Sequence, residues 1–151
     1  VILIIVMLTG ASAGSTSGGI KMIRVVISAK TCYYEFKRLL HPNAIIPVRY
    51  NKHLVPPDIL TRVLAFTLLY LVTAAFGILV LAMSGMGFLE SVGGMVTCLG
   101  GVGPGLGLVG PAGNFHDVPE FSKWFLSLMM LAGRLELYTV FLLFTPAFWR
   151  R

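Results

Sequence analysis

The sequence predicts an all-α integral membrane protein that contains a re-entrant loop, and three observations support this fold class. Of the 151 residues, 56% are hydrophobic and only 12% are charged, whereas soluble domains carry about 25% charged residues. The run from Val63 to Met83 has no charge in 21 residues, which as a helix matches a hydrocarbon core of about 30 Å. Between this run and a later apolar stretch lies a segment that is too apolar for a loop and too short to span.

A second spanning helix is predicted from Trp124 to Trp149, because tryptophan at each end is typical of the membrane interface. The stretch from Lys21 to Arg62 holds eight of the twelve Lys and Arg residues, and cytoplasmic loops are enriched in these residues. We therefore expect a multi-pass protein in membrane lipid, with the basic stretch inside and the re-entrant loop entering from outside. The position of the +6 net charge between apolar segments argues against a nucleic-acid partner.

The basic stretch includes residues 31–62, which are interpreted as a cytoplasmic linker because four prolines interrupt any long helix there: Pro42, Pro47, Pro56 and Pro57. Residues 29–40, AKTCYYEFKRLL, leave an alternative open, since separate aromatic and basic faces are typical of an interfacial helix. Cys32 and Cys98 match no zinc or C-x-x-C spacing, so neither a disulfide nor a metal site is expected from them.

The short apolar segment predicts a helix over residues 88–99 that ends at membrane mid-depth, followed by extended backbone from Gly100 to Gly103. Glycine permits the unusual dihedral angles that turn successive carbonyl oxygens towards a dehydrated cation. The helix would also direct the negative end of its dipole at that ion. An ordinary glycine-rich turn is the alternative, but the position between two spanning helices favours a selectivity filter. The candidate filter and potassium site consists of Gly100, Gly101, Val102 and Gly103.

A run of ten small residues near the start of the chain is the candidate for a movable gate. Glycine at every fourth position would form a packing face if the run were one continuous membrane helix. The other interpretation is an unwound loop inside the membrane, because so many small residues do not hold a stiff helix. This loop would plug the inner end of a pore, with Lys21 at the cytoplasmic mouth. The run consists of Gly10, Ala11, Ser12, Ala13, Gly14, Ser15, Thr16, Ser17, Gly18 and Gly19.

Arg134 is the candidate pore-lining charge, because it lies near the middle of the last predicted helix. A lone arginine at that depth costs about 2.5–3.5 kcal/mol, so its guanidinium must face water or an acid. Glu136 lies two residues further on and would occupy the opposite side of a continuous helix. We expect Arg134 to face an aqueous cavity and repel a resident cation. Pairing with a helix outside this sequence is the alternative.

An enzyme is not expected, because the sequence holds no cluster of Asp, Glu, His and Cys residues that could form a catalytic site. Gly105, Gly107 and Gly110 match the G-x-G-x-x-G pattern of dinucleotide sites. That pattern requires a preceding strand and an acidic residue about 20 positions later, and both are missing. We therefore expect no organic cofactor in this chain.

Four segments in a fixed order carry a family resemblance: GASAGSTSGGIKMIR, KRLLHPNA, GVGPGLG and GRLELYTVFLLFTPAFW. Together they resemble the C-terminal third of the TrkH/TrkG/KtrB potassium transporters, along nearly the whole chain. The resemblance implies a membrane helix–pore loop–membrane helix repeat of the potassium-channel-like superfamily, incomplete here because family members have four such repeats. The implied divisions are residues 1–30 (second half of the third repeat, with the gate loop), 31–62 (linker) and 63–151 (fourth repeat).

The same resemblance implies potassium uptake across the bacterial inner membrane by the pore-forming subunit of a Trk/Ktr-type system, with the potassium ion as transported substrate. It also implies a homodimer and a cytoplasmic nucleotide-binding regulatory subunit of the TrkA/KtrA type. The filter role falls on Gly100–Gly103, the gate role on Gly10–Gly19 and the pore-lining role on Arg134. Because the chain starts within an apolar run, we expect a C-terminal fragment; symport with protons or sodium is left open. A non-conducting membrane piece whose glycines only pack helices is the alternative function.

Overall fold

The computed structural model describes residues 7, 10, 18–40, 49–50, 53–110, 113–116 and 118–149. Within these ranges every element is helical except one antiparallel hairpin of two-residue strands, so the predicted helical class is confirmed. The elements in chain order are α1 (Met22–Leu40), β1 (Arg49–Tyr50), β2 (His53–Leu54), α2 (Pro57–Met83), α3 (Phe88–Gly100), a 3₁₀ turn (Gly107–Val109), α4 (Glu120–Arg134), α5 (Leu137–Leu143) and α6 (Pro146–Trp149).

The predicted linker over residues 31–62 is helical at both ends. Helix α1 continues to Leu40, so the expected division at residue 30 falls inside a single helix. Helix α2 begins at Pro57. In the first turn of a helix the backbone N–H groups have no partner within the helix, so the N–H that proline lacks costs no hydrogen bond there. The carbonyl of Pro56 starts this helix by accepting from the backbone N–H groups of Ile59 and Leu60, at 3.1 and 3.3 Å. These two prolines therefore initiate a helix at a position where a break was predicted.

Helix α2 is the one described helix that is long and apolar enough to cross a membrane by itself. It starts six residues before the predicted Val63 and so includes Asp58 and Arg62 in its first two turns. One face is buried, at positions spaced three or four apart, and the opposite side is largely exposed. The buried positions are Phe66, Tyr70, Thr73, Ala74, Gly77 and Leu81.

Helix α3 lies at the centre of the described fold, packed between α2 and α4. It covers the predicted residues 88–99 and adds Gly100 as its last residue. Ser91 and every residue from Gly93 to Gly100 are buried. A Cβ added to Gly93 would lie 2.6 Å from the backbone nitrogen of Leu106, so glycine at this position lets the following loop fold back onto the helix.

The predicted continuous helix from Trp124 to Trp149 is wrong, because this segment forms three helices. Helix α4 ends at Arg134, α5 begins at Leu137, and the two are bent by 112°. The bend occurs at Glu136, whose φ of 63° and ψ of 128° cannot continue a helix. Helices α4 and α5 are long and apolar enough to span a membrane only when taken as one bent pair.

Candidate functional site

The loop after α3 contains the predicted filter residues and is not uniformly extended. Gly100 is the last helical residue, and Gly101 caps the helix in the left-handed conformation with φ 65° and ψ 33°. The backbone N–H groups of Gly101 and Val102 donate to the carbonyls of Cys98 and Thr97, at 3.3 and 3.1 Å. The expected extended backbone is therefore wrong at Gly100 and Gly101, because a left-handed glycine terminates the helix there.

Thr97, which is not among the predicted site residues, connects this loop to the helix that precedes it. Its side chain is 1% exposed, and its hydroxyl donates to the carbonyl of Pro104 at 2.9 Å. Its own carbonyl accepts from Val102, so a single residue holds both ends of the segment 102–104. A threonine in the apolar second half of this helix, three residues before a double glycine, was the available sequence signal.

The outer side of the same loop is open within the described part of the chain. Residues 101–104 are all exposed, including 44% of Val102. Gly103 has φ 108°, and a Cβ added there would have no atom within 4 Å. The side of the loop that faces α3 is thus held by Thr97, and the opposite, exposed side is accessible to an ion, water or another segment.

Three separate parts of the chain meet below this loop in what we call the glycine junction, formed by Gly18, Leu99 and Gly133. A Cβ added to Gly18 would lie 2.8 Å from the carbonyl oxygen of Gly133 and 3.3 Å from that of Leu99. A Cβ added to Gly133 would lie 2.9 Å from the carbonyl carbon of Leu99 and would overlap its oxygen. Backbone therefore packs directly on backbone, which only glycine allows at these two positions.

The candidate gate run has both of its ends within the described residues, whereas residues 11–17 lie outside them. Gly10 has φ 65°, and a Cβ added there would lie 3.2 Å from the carbonyl oxygen of Ile20 and 3.4 Å from that of Gly18. In one continuous helix, residues ten apart are separated by about 15 Å. The continuous-helix alternative is therefore wrong, because the two ends of the run touch. Gly18 and Gly19 are buried against the end of α3, and the gating role stays a prediction.

Lys21 forms part of a charge cluster, and its place at the cytoplasmic mouth of a pore stays a prediction. Its ammonium nitrogen and the Nη2 atom of Arg24 each lie 3.3 Å from the Oε1 atom of Glu136. The guanidinium of Arg24 also lies 4.0 Å from the centre of the Phe66 ring, a distance suited to a cation–π contact. The carboxylate at the bend between α4 and α5 thus binds two bases that directly follow the gate run.

Arg134, the predicted pore-lining charge, is the last residue of α4 and is exposed. It forms no ion pair with any residue that the structure describes. The described residues likewise contain no group of three His, Cys, Asp or Glu side chains that could hold a metal ion. The polar chemistry of this region therefore comes from backbone carbonyls, one buried threonine and the cluster around Glu136.

Comparison with known proteins identifies the fold. A family model for TrkH, described as a cation transport protein, matches residues 1–151. The chain belongs to the TrkH family. The crystal structure of the potassium transporter TrkH from Vibrio parahaemolyticus matches with a TM-score of 0.89 and 36% sequence identity, over 99% of this chain and 31% of that one. The predicted resemblance to TrkH-type proteins is confirmed.

Two curated relatives of the TrkH family extend this comparison. The Trk system potassium uptake protein TrkI of Halomonas elongata is 40% identical over 143 residues, which cover 94% of this chain and 29% of TrkI. TrkH of Escherichia coli is 39% identical over 141 residues, which cover 93% of this chain and 29% of that protein. The chain thus spans less than one third of the length of either relative.

Proposed function

We propose that this chain is the C-terminal part of the pore-forming subunit of a Trk/Ktr-type potassium uptake system in the bacterial inner membrane. One observation carries the proposal: the buried helix α3 ends in a left-handed glycine and an open loop, and it packs between α2 and α4. A short helix that ends beside irregular backbone is tolerated at membrane depth where the backbone lines a water-filled cavity. The names of TrkI and TrkH supply potassium as the transported ion.

The proposal assigns the residues to three roles along one ion path. Gly100–Gly103 contribute one set of backbone carbonyls to the potassium cage, which matching segments elsewhere in the pore complete. Gly10–Gly19 form the gate below, supported by the contact between Gly10 and Ile20. Arg134 lines the aqueous cavity, which its exposure at the end of α4 supports. The positive charge of Arg134 limits how long a cation resides next to it.

The remaining parts of the proposal concern surroundings and partners. The exposed apolar side of α2, which includes Leu68, Phe76 and Leu79, suits contact with lipid or with other membrane helices. The complete transporter is proposed to be a homodimer beneath which a nucleotide-binding regulatory subunit of the TrkA/KtrA type assembles. Potassium is its substrate, and no resident cofactor is needed for ion conduction.

The test of the filter uses a pair of glycines that differ only in location. Gly103 (φ 108°) and Gly85 (φ 92°) both have positive φ, and a Cβ added at either would meet no atom within 4 Å. Serine at either site therefore imposes backbone strain of about 1–3 kcal/mol without a clash. Gly85 lies between α2 and α3, away from the candidate filter, so Gly85→Ser is the matched control.

The full-length gene product that contains this chain is expressed in a bacterial strain without potassium uptake of its own. Potassium and sodium uptake are measured for the wild type and for both variants at equal membrane expression. We expect potassium uptake by the wild type and by Gly85→Ser, and a reduced potassium-to-sodium ratio for Gly103→Ser. Equal ratios for the two variants would remove the filter assignment, and absence of potassium uptake by the well-expressed wild type would overturn the proposed function.

A further inference from the structure

The distal half of α1, residues 29–40, carries an apolar face that no described part of the chain covers. Four large side chains on this face are mostly exposed: Tyr33 67%, Phe36 65%, Leu39 79% and Leu40 76%. Their spacing of three and four residues places them on one side of the helix. The exposed Cys32 lies on the same side, four residues before Phe36. The buried residues of α1, Ile27 and Thr31, lie on another side.

This half of α1 leaves the described fold close to the place where the apolar part of α2 begins. In the first turn of α1, the guanidinium of Arg24 lies 4.0 Å from the centre of the Phe66 ring. Phe66 is the fourth residue of the uncharged run that starts at Val63. From Cys32, about 12 Å further along α1 than Arg24, to Leu40 no residue is buried. The apolar face therefore emerges near the predicted boundary between hydrocarbon and water, where interfacial helices lie.

Basic side chains border this apolar face. At about 100° per residue, Lys37 and Lys30 follow Tyr33 around the helix axis by about 40° and 60°, and both lysines are exposed. Glu35, the one acidic residue of the segment, pairs with Arg38. The distal half of α1 therefore has a net charge of +2. Anionic lipid headgroups attract basic residues placed in this way beside a membrane.

The same charges favour lipid over a second protein segment as the occupant of this face. A protein segment packed here would take Lys30 and Lys37 out of water beside apolar side chains, which is costly without matching acids. A membrane interface accommodates both groups, because a lysine extends its ammonium to the headgroups while its stem stays on the apolar side. Tyr33 and Tyr34 also suit this depth, since a ring with a polar tip is enriched at membrane interfaces.

We propose that the distal half of α1 is a membrane-surface helix that binds anionic lipid headgroups through Lys30 and Lys37, with its apolar face inserted at the acyl boundary. This surface requires the chain to lie in a membrane. It does not depend on which ion the pore conducts, so it extends beyond the proposed function. The lipid composition of the membrane would then decide how firmly α1 is held at the surface.

Cys32 provides the reporter, in a full-length gene product whose other cysteines are replaced by serine. The protein is placed in nanodiscs of phosphatidylcholine, with or without phosphatidylglycerol, because both membrane faces of a nanodisc are accessible. The measurement is the rate at which an uncharged, water-soluble thiol reagent labels Cys32. We expect slower labelling in the anionic nanodiscs, since the bound helix turns Cys32 towards the acyl boundary. Added salt should restore the rate, because it screens the attraction between lysine and headgroup.

Lys37→Gln removes one charge from the border of the apolar face, and Lys123→Gln makes the same change on α4 as the matched control. In anionic nanodiscs we expect Lys37→Gln to be labelled about fivefold faster than the parent protein, the factor that one basic residue contributes near an anionic surface. Lys123→Gln should match the parent. In phosphatidylcholine alone, all three proteins should be labelled at the same rate.

Equal labelling of the parent protein in the two kinds of nanodisc would overturn the proposal. Fast labelling in both would show that the face meets water, and slow labelling in both would show a cover that does not need anionic lipid, such as another protein segment. Equal effects of Lys37→Gln and Lys123→Gln would also overturn it, because the rate would then follow total charge. The labelling requires no ion transport, so a wild type that moves no potassium would refute the proposed function and leave this test valid.

Discussion

Replacing Gly133 by alanine tests whether the backbone contact between α3 and α4 is as close as the structure has it. The added methyl group would lie 2.9 Å from the carbonyl carbon of Leu99 and nearer still to its oxygen, whereas carbon atoms in contact are about 3.5–4.0 Å apart. The helices must separate, since both partners are backbone. Overpacking of this kind costs about 1–3 kcal/mol.

Gly94→Ala is the matched control for this substitution. Gly94 is buried inside α3, but a Cβ added there would have only the Leu126 Cδ1 atom nearby, at 3.9 Å. Alanine inside a helix is favoured over glycine by about 1 kcal/mol. Gly133 also lies within a helix, so this gain is common to both substitutions. The two variants should therefore differ by the overpacking cost, about 2 kcal/mol, with Gly94→Ala the more stable.

Cys98 supplies the assay, because it is 2% exposed and borders a cavity of about 180 Å³ with Leu126 and Met130 of α4. A thiol reagent reaches it only when α3 and α4 separate, so the labelling rate follows the open population when reclosure is fast. The exposed Cys32 and any further cysteine of the full-length protein are replaced by serine. A difference of about 2 kcal/mol corresponds to a roughly 30-fold difference in rate. Labelling of Gly133→Ala that is as slow as that of Gly94→Ala would refute the close backbone contact.

Two further predictions concern the loop and the gate. Thr97→Val should lower the potassium-to-sodium uptake ratio, because the hydrogen bond to the Pro104 carbonyl is lost, whereas Thr97→Ser should preserve the ratio; equal ratios in both variants would show that this bond does not shape the filter. Replacing Gly10 and Gly14 together by alanine should change potassium flux and leave the ion ratio unchanged, because alanine favours helix over glycine by about 1 kcal/mol and is strained at the φ of 65° that Gly10 adopts. Wild-type flux from such a well-expressed variant would make the run a packing element and nothing more.

The helices around the filter could be predicted because their signals are local. The uncharged run that forms the body of α2 and the apolar segment of α3 are each complete within their own residues. Gly101 ends α3 for a reason that is also local, since a left-handed residue after a helix is usually glycine. The start of α2 was misjudged only because Pro57 can either interrupt a helix or begin one.

The bend at Glu136 could not be predicted because its cause lies far away in the sequence. The segment from Leu131 to Tyr138 has the apolar composition of a continuing helix apart from two charges, and it contains no proline. The chain departs from helical geometry where its carboxylate meets Lys21 and Arg24. Spacing along one helix assigns Glu136 a face relative to Arg134, but it says nothing about partners more than a hundred residues earlier. In the sequence, the only indication of this contact was the presence of two basic residues after the gate run and one acidic residue in an apolar segment.

The separation of Glu136 from its two bases also fixes when this contact can form during synthesis. Lys21 leaves the ribosome 115 residues before Glu136, and at about 5–20 residues per second that interval lasts roughly 6–23 s. Throughout this period α1, α2 and α3 can assemble, but the bases have no counter-charge at the bend. The contact is therefore among the last long-range contacts of the described fold to form. A nascent chain that ends anywhere between Met83 and Leu135 lacks Glu136, so Lys21 and Arg24 have no ion-pair partner at the bend.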